Sequence, residues 1–153
     1  MSREDYVGLV QDFCEEIGLA HASELLDQGV LQMEDMLVGI EYLEEREEIR
    51  ILMDLGEIED ERGRAILLPL LLQSNLSNTS AYLPTFSLHP ETGHPIVAYH
   101  LPLMTLLEED ISLAFVLNEQ LLPVFDEWKS VVQQALAGIN VGRESSSLPE
   151  SFA

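Results

Sequence analysis

Basic residues are scarce in this chain. Seven Lys and Arg stand against 28 Asp and Glu, a formal net charge of −21 over 153 residues. Nucleic acid and anionic membranes are bound through cationic surface, so so acidic a chain reads as a binder of neither. Its field favours basic partners and keeps sticky species apart. Cysteine is almost missing. Cys14 alone builds neither a disulfide framework nor a thiolate metal cluster, which fits a reducing cytosol. Long apolar runs are missing too. The start, MSREDYVGLV, is charged early and has no signal-peptide core. No stretch reaches the roughly 18 apolar residues of a membrane helix. The chain therefore reads as soluble and intracellular. Hydrophobic residues at 46% and a length of 153 residues fit a single globular domain.

Catalytic signatures are absent as well. There is no G-x-S-x-G, no phosphate-binding glycine loop and no H-E-x-x-H. The four histidines are His21, His89, His94 and His100. His89 and His94 flank one turn, with Glu91 the only obvious third group, and a zinc site wants three or four ligands. His100 sits in an apolar strand and reads as a core or interface histidine. Cys14 lies beside Glu15 and Glu16, whose charge opposes a thiolate. Carboxylates are so many that pairs carry no weight for acid/base work. Neither a cofactor nor a metal is expected, and no enzyme.

What is present is pattern. Ser2 to Ile17 has helical spacing in Tyr6, Leu9, Phe13 and Ile17, a cap in Ser2 and a stop in Gly18. LAHASELLDQ reads as a loop or a short helix. GVLQM, MLVGIEYL and IRILMDLGEI read as three strands, with Met36, Val38, Ile40 and Tyr42 on one face of the second and Ile49, Ile51 and Met53 on one face of the third. A helix is expected from about Asp60 to Leu76. It contains eight consecutive apolar residues, Ala65 to Leu72, with Pro69 among them to kink it. A helix apolar nearly all round is covered on more than one side. PTFSL and PIVAYHL read as two strands about the HPETGH turn. From Thr105, with Glu108 completing a capping box, one long helix runs to Gly138, bent at Pro123, with Leu113, Val116, Leu117, Leu121, Val124, Phe125, Trp128, Val132 and Leu136 on its apolar face. The expected fold is α+β: one small domain over residues 1–138, in the order α-β-β-β-α-β-β-α, with an antiparallel sheet packed by helices. Residues 139–153 read as a flexible tail.

That order, in a small and very acidic chain, resembles the Tir-chaperone-like (CesT) family, the class I chaperones of bacterial type III secretion. LVQDFCEEIGL resembles the family's first helix, and GVLQMEDMLVGIEYLEEREEIRILMDLGEI its three-strand meander. LLPLLLQSNL resembles the leucine-rich second helix, and SLHPETGHPIVAYHLPL the last two strands. Pro69 departs from the pattern, because a smooth helix is expected there. The resemblance implies a bacterial cytoplasmic homodimer without enzymatic activity. Ile66, Leu67, Leu70 and Leu71 would pack on the sheet and on the partner subunit; the same helix could instead fill a monomer core. It also implies a secreted effector as partner, held through its non-globular N-terminal segment, with the secretion-apparatus ATPase a further candidate. Apolar pockets and an edge strand would receive that segment, through Phe13, Ile17, Leu31, Met33, Leu37 and Leu43. At least half of these, Phe13 above all, are expected to be plain core. Two rivals stand beside this reading. One is an acidic regulator that sequesters a basic partner, as an anti-activator or nucleic-acid mimic. The other is a small enzyme using the histidine turn.

Overall fold

In the computed structural model, residues 2–20, 22–33, 36–58, 61–77 and 84–141 are described. The capping role of Ser2, His21, the side chains of Met33, Met36 and Leu136, and residues 142–153 lie outside that set. The elements are α1 (Ser2–Ile17), α2 (Ala22–Gln28), β1 (Val30–Met33), β2 (Met36–Leu43), β3 (Glu48–Asp54), α3 (Glu61–Ser77), β4 (Thr85–Leu88), β5 (Pro95–Pro102), α4 (Leu103–Glu108), α5 (Leu113–Phe115), a π-helical segment (Val116–Leu121) and α6 (Leu122–Val141). The strands form one antiparallel sheet in the order β1-β2-β3-β5-β4. The α+β expectation holds.

Register sorts the sheet into two faces. Val38 pairs with Met53 and Met53 with Val97; Ile40 pairs with Ile51 and Ile51 with Tyr99. Directly paired residues share a face. These side chains, with Ile49, Leu101, Leu31 and Phe86, are buried in one core. The helices contribute Val10 and Phe13 of α1, Leu25 of α2, Leu67 and Leu71 of α3, Leu103 and Leu106 of α4, and Val116, Leu117, Leu121 and Phe125 of the last helical stretch. Tyr6 stacks on Tyr42 at 5.1 Å, and Phe86 meets Trp128 edge-on at 4.5 Å.

The first helix ends as its glycine dictates. Gly18 has φ of 80°, Leu19 N–H donates to the Cys14 carbonyl, and Gly18 N–H donates to that of Glu15. That is a Schellman closure, which needs a left-handed residue.

The C-terminal helix corrects the sequence reading. It is not one helix from Thr105. Thr105 lies inside the short α4, which starts at Leu103 without a side-chain cap. α4 closes in a second Schellman motif, with Asp110 at φ 54°, and Ile111 N–H donating to the Leu106 carbonyl at 2.9 Å. The true cap is Ser112, whose hydroxyl accepts from Phe115 N–H at 3.1 Å. Pro123 takes effect one turn early. The π segment lets Leu122 N–H bond the Leu117 carbonyl five residues back, so a wider turn precedes the residue that lacks a donor. Gly138 does not stop the helix, which runs to Val141. A single glycine weakens a helix by about 1 kcal/mol and ends it only when it adopts a left-handed conformation.

Candidate protein-binding surfaces

The leucine-rich helix α3 runs unbroken across Pro69. Its inner face holds Leu67, Leu70, Leu71 and Ser74, all buried within the chain itself. Ser74 donates its hydroxyl back to the Leu70 carbonyl at 2.8 Å. The outer face is Ala65, Ile66, Pro69, Leu72 and Leu76. Leu72 is 67% exposed and Leu76 92% exposed. Positions 65, 69, 72 and 76 fall on one stripe by helical spacing. Pro69 sits on that stripe, so the Ala65 carbonyl it cannot bond is left on the solvent side. Beside the stripe, Leu68, Leu71, Leu72, Phe86 and Leu88 line an apolar hollow of about 130 Å³ between α3 and β4. Of the four residues the sequence proposed for self-association, Ile66 alone is exposed. Leu72, Leu76 and Leu88, which the sequence reading did not single out, are exposed beside it. A helix apolar all round gives no phase, so its outer stripe could not be chosen from periodicity.

The two sheet edges differ. β4 is an edge strand, and a side chain covers its outward groups at Phe86. The Asn75 amide donates from Nδ2 to the Phe86 carbonyl at 3.1 Å and accepts on Oδ1 from Phe86 N–H at 2.6 Å. One side chain thus satisfies both outward groups of Phe86, as a neighbouring strand would. At the other edge, Ile40 N–H donates to the Gly29 carbonyl. With the register Val30 to Gly39 and Leu31 to Val38, alternation turns the backbone groups of Leu31 toward β2. Those of Val30 and Gln32 point away from the sheet. This is the edge an extended chain can join.

The expected groove residues divide across the sheet. Phe13 is fully buried and Leu31 nearly so; Ile17 is half-buried against the core. Leu37, which pairs with Gln32, and Leu43, which pairs with Glu48, lie on the opposite face. Leu37 is 49% exposed and Leu43 half-buried. Val30, also missed from sequence, is 46% exposed. Val30, Gly39 and Leu52 form one cross-strand row there. None of Val30, Leu37, Leu43 or Leu52 joins the core cluster.

Ile96 and Ala98 of β5 are buried on that face as well, and beside them it is polar. Arg50 pairs with Glu41, His100 Nδ1 lies 3.1 Å from Glu48, and His94 Nδ1 lies 2.9 Å from Asp54. His89 has a different task. Its Nδ1 accepts from Glu91 N–H at 3.1 Å and Thr92 N–H at 3.3 Å, fastening the turn. The two turn histidines thus spend their Nδ1 atoms on different partners. Among the described residues no three His, Cys, Asp or Glu converge as metal ligands. Cys14 is buried, and burial pushes its thiol up; desolvation disfavours the thiolate a nucleophile needs. No described helix is long and apolar enough to cross a membrane.

No curated protein and no solved structure matches the chain significantly. The family model described as Tir chaperone protein (CesT) family matches residues 8–121, from α1 through the π segment. The order of elements, the exposed apolar stripe on α3 and the outward-facing groups of β1 sit within that match, and the chain belongs to the CesT family of type III secretion chaperones.

Proposed function

We propose that the chain holds the non-globular N-terminal segment of one or more effectors by strand addition at β1, and works as a homodimer joined through the outer stripe of α3. The single observation that carries the client site is the asymmetry of the edges. Asn75 takes up both outward groups of Phe86 in the middle of β4, while β1 leaves the groups of both Val30 and Gln32 outward. An added strand would gain backbone hydrogen bonds there, and Val30 and Leu37 would meet its side chains on the outer face. Leu43 extends that apolar strip, and Ile17 borders the core side. Phe13 and Leu31 support the site from within. For the dimer, Ile66, Leu72, Leu76 and Leu88 give an apolar surface of the kind obligate interfaces bury. Leu67, Leu70 and Leu71 hold α3 in place beneath it. The action is affinity without turnover: the client segment is kept from aggregating and stays available for export.

The test is capture of clients from the source bacterium on tagged protein, eluted with high salt and then denaturant. A salt-resistant partner, trimmed by protease to a short N-terminal segment that still copurifies, is the expected result. Gln32→Pro removes an outward N–H and no ladder bond, so the fold should persist. The captured client should fall about tenfold, as expected for about 1.4 kcal/mol of binding. A partner released at modest salt, or unaffected by Gln32→Pro, would count against the edge and favour sequestration of a basic protein by charge.

A further inference from the structure

A second concave surface is lined by residues of neither β1 nor α3. The polar side of α1 faces the connection between α4 and α5 across an open cleft of about 530 Å³. Glu4, Asp5, Asp12, Glu15 and Glu16 line it from α1, and Asp110 from the other wall. Among the described residues no Lys or Arg lines it. Its floor is apolar: Leu9, Leu107 and Ile111 reach it beside the buried Leu106. The Schellman closure at Asp110 builds the far wall, since it sets Ile111 back against Leu106. Gly8 lies in the near wall, and a Cβ there would meet nothing within 4 Å.

We infer that this cleft docks a short basic amphipathic segment of a partner protein, distinct from the segment that joins β1. The chemistry selects that occupant. The carboxylates are strung over 13 residues of α1, from Glu4 to Glu16, a rise of about 18 Å. No three converge on a point among the described residues, so a small cation finds no cage. An elongated polycation fits better, and Arg side chains meet spaced carboxylates with paired hydrogen bonds. The apolar floor adds a demand for Leu-like anchors between the basic residues, which a bare polycation lacks. The chain cannot supply this itself. A second copy carries the same −21, and GRESSSLPESFA at the C-terminus has one Arg against two Glu.

The probe is a fluorescein-labelled synthetic peptide of about four helical turns with Arg and Leu at helical spacing. Its control has every Leu replaced by Ser. Anisotropy on the full chain should show the Leu peptide binding at least about tenfold tighter than the control. Gly8→Trp fills the cleft from a wall with free space and should weaken the Leu peptide about tenfold. Asp12→Lys with Glu16→Lys, both exposed, should do the same, whereas Glu44→Lys with Glu45→Lys makes the same charge change in the β2–β3 turn and should change binding by less than about threefold. Circular dichroism checks that each variant is folded. Equal losses in the two charge reversals would overturn the proposal in favour of a general acidic field. Binding unchanged by Gly8→Trp would overturn the cleft. A change in sedimenting mass with Gly8→Trp, without loss of peptide, would assign the cleft to a second copy. No effector enters this assay, so its outcome is independent of the client site at β1.

Discussion

Gly93 and Asp110 adopt the same left-handed backbone for different ends. Gly93 has φ of 74°, and its carbonyl accepts from Arg64 Nη2 at 3.0 Å, tying the β4–β5 turn to α3. A Cβ at Gly93 would stand 2.8 Å from that same nitrogen. Gly93→Ala therefore meets both backbone strain and a displaced guanidinium. A loss of about 1–2 kcal/mol is expected, read as a lower urea midpoint at unchanged slope. Asp110, at φ 54°, carries the strain a glycine would avoid. Asp110→Gly should leave stability unchanged or raise it by up to about 1 kcal/mol, the relief at φ > 0 being partly offset by a freer unfolded chain. Glycine in HPETGH was legible as a turn because glycine is its usual signal. Asp110 was not: Thr105 and Glu108 matched a capping box three residues apart, and a real cap seven residues further on, Ser112, was passed over.

Elements of strong period were legible, and those whose partners lie far along the chain were not. The limits of α1 and the alternation of β3 follow from Tyr6, Phe13, Ile49, Ile51 and Met53, whose spacing fixes which side is buried. In α3 the run from Ala65 to Leu72 conceals its phase, and tertiary contact decides that Leu71 turns inward and Leu72 outward. Asn75 lies one residue before the expected helix end at Leu76, and the sequence reading assigns it no partner; its bond to Phe86 spans 11 residues, beyond any local pattern. That bond makes a prediction at the scale of the strand. Asn75→Ala strips both outward groups of Phe86 of their partner. It should cost about 1–3 kcal/mol, and the uncovered edge should associate with other edges. Light scattering that rises with concentration in Asn75→Ala, but not in Gln32→Pro, would locate the protection at β4. Equal scattering in both would remove the special role of Asn75.

For the whole molecule, charge and apolar surface oppose each other. Two chains each at −21 repel when they approach, and salt screens that repulsion over about 10 Å at 0.1 M. The apolar surface of Ile66, Leu72 and Leu76 carries no charge, so salt removes nothing it contributes. The proposed homodimer should therefore tighten as NaCl rises from about 0.05 to 0.5 M, while docking of the basic peptide in the acidic cleft should weaken over the same range. Opposite salt slopes for two surfaces of one chain are the signature of this division. Sedimentation across the salt series, repeated on Leu72→Asp with Leu76→Asp, measures the first slope. Both positions are exposed, so the double variant should fold and should be a monomer at every salt concentration. A dimer that loosens with salt is held by ion pairs, and one that survives the double variant is joined elsewhere; either result removes α3 as the interface.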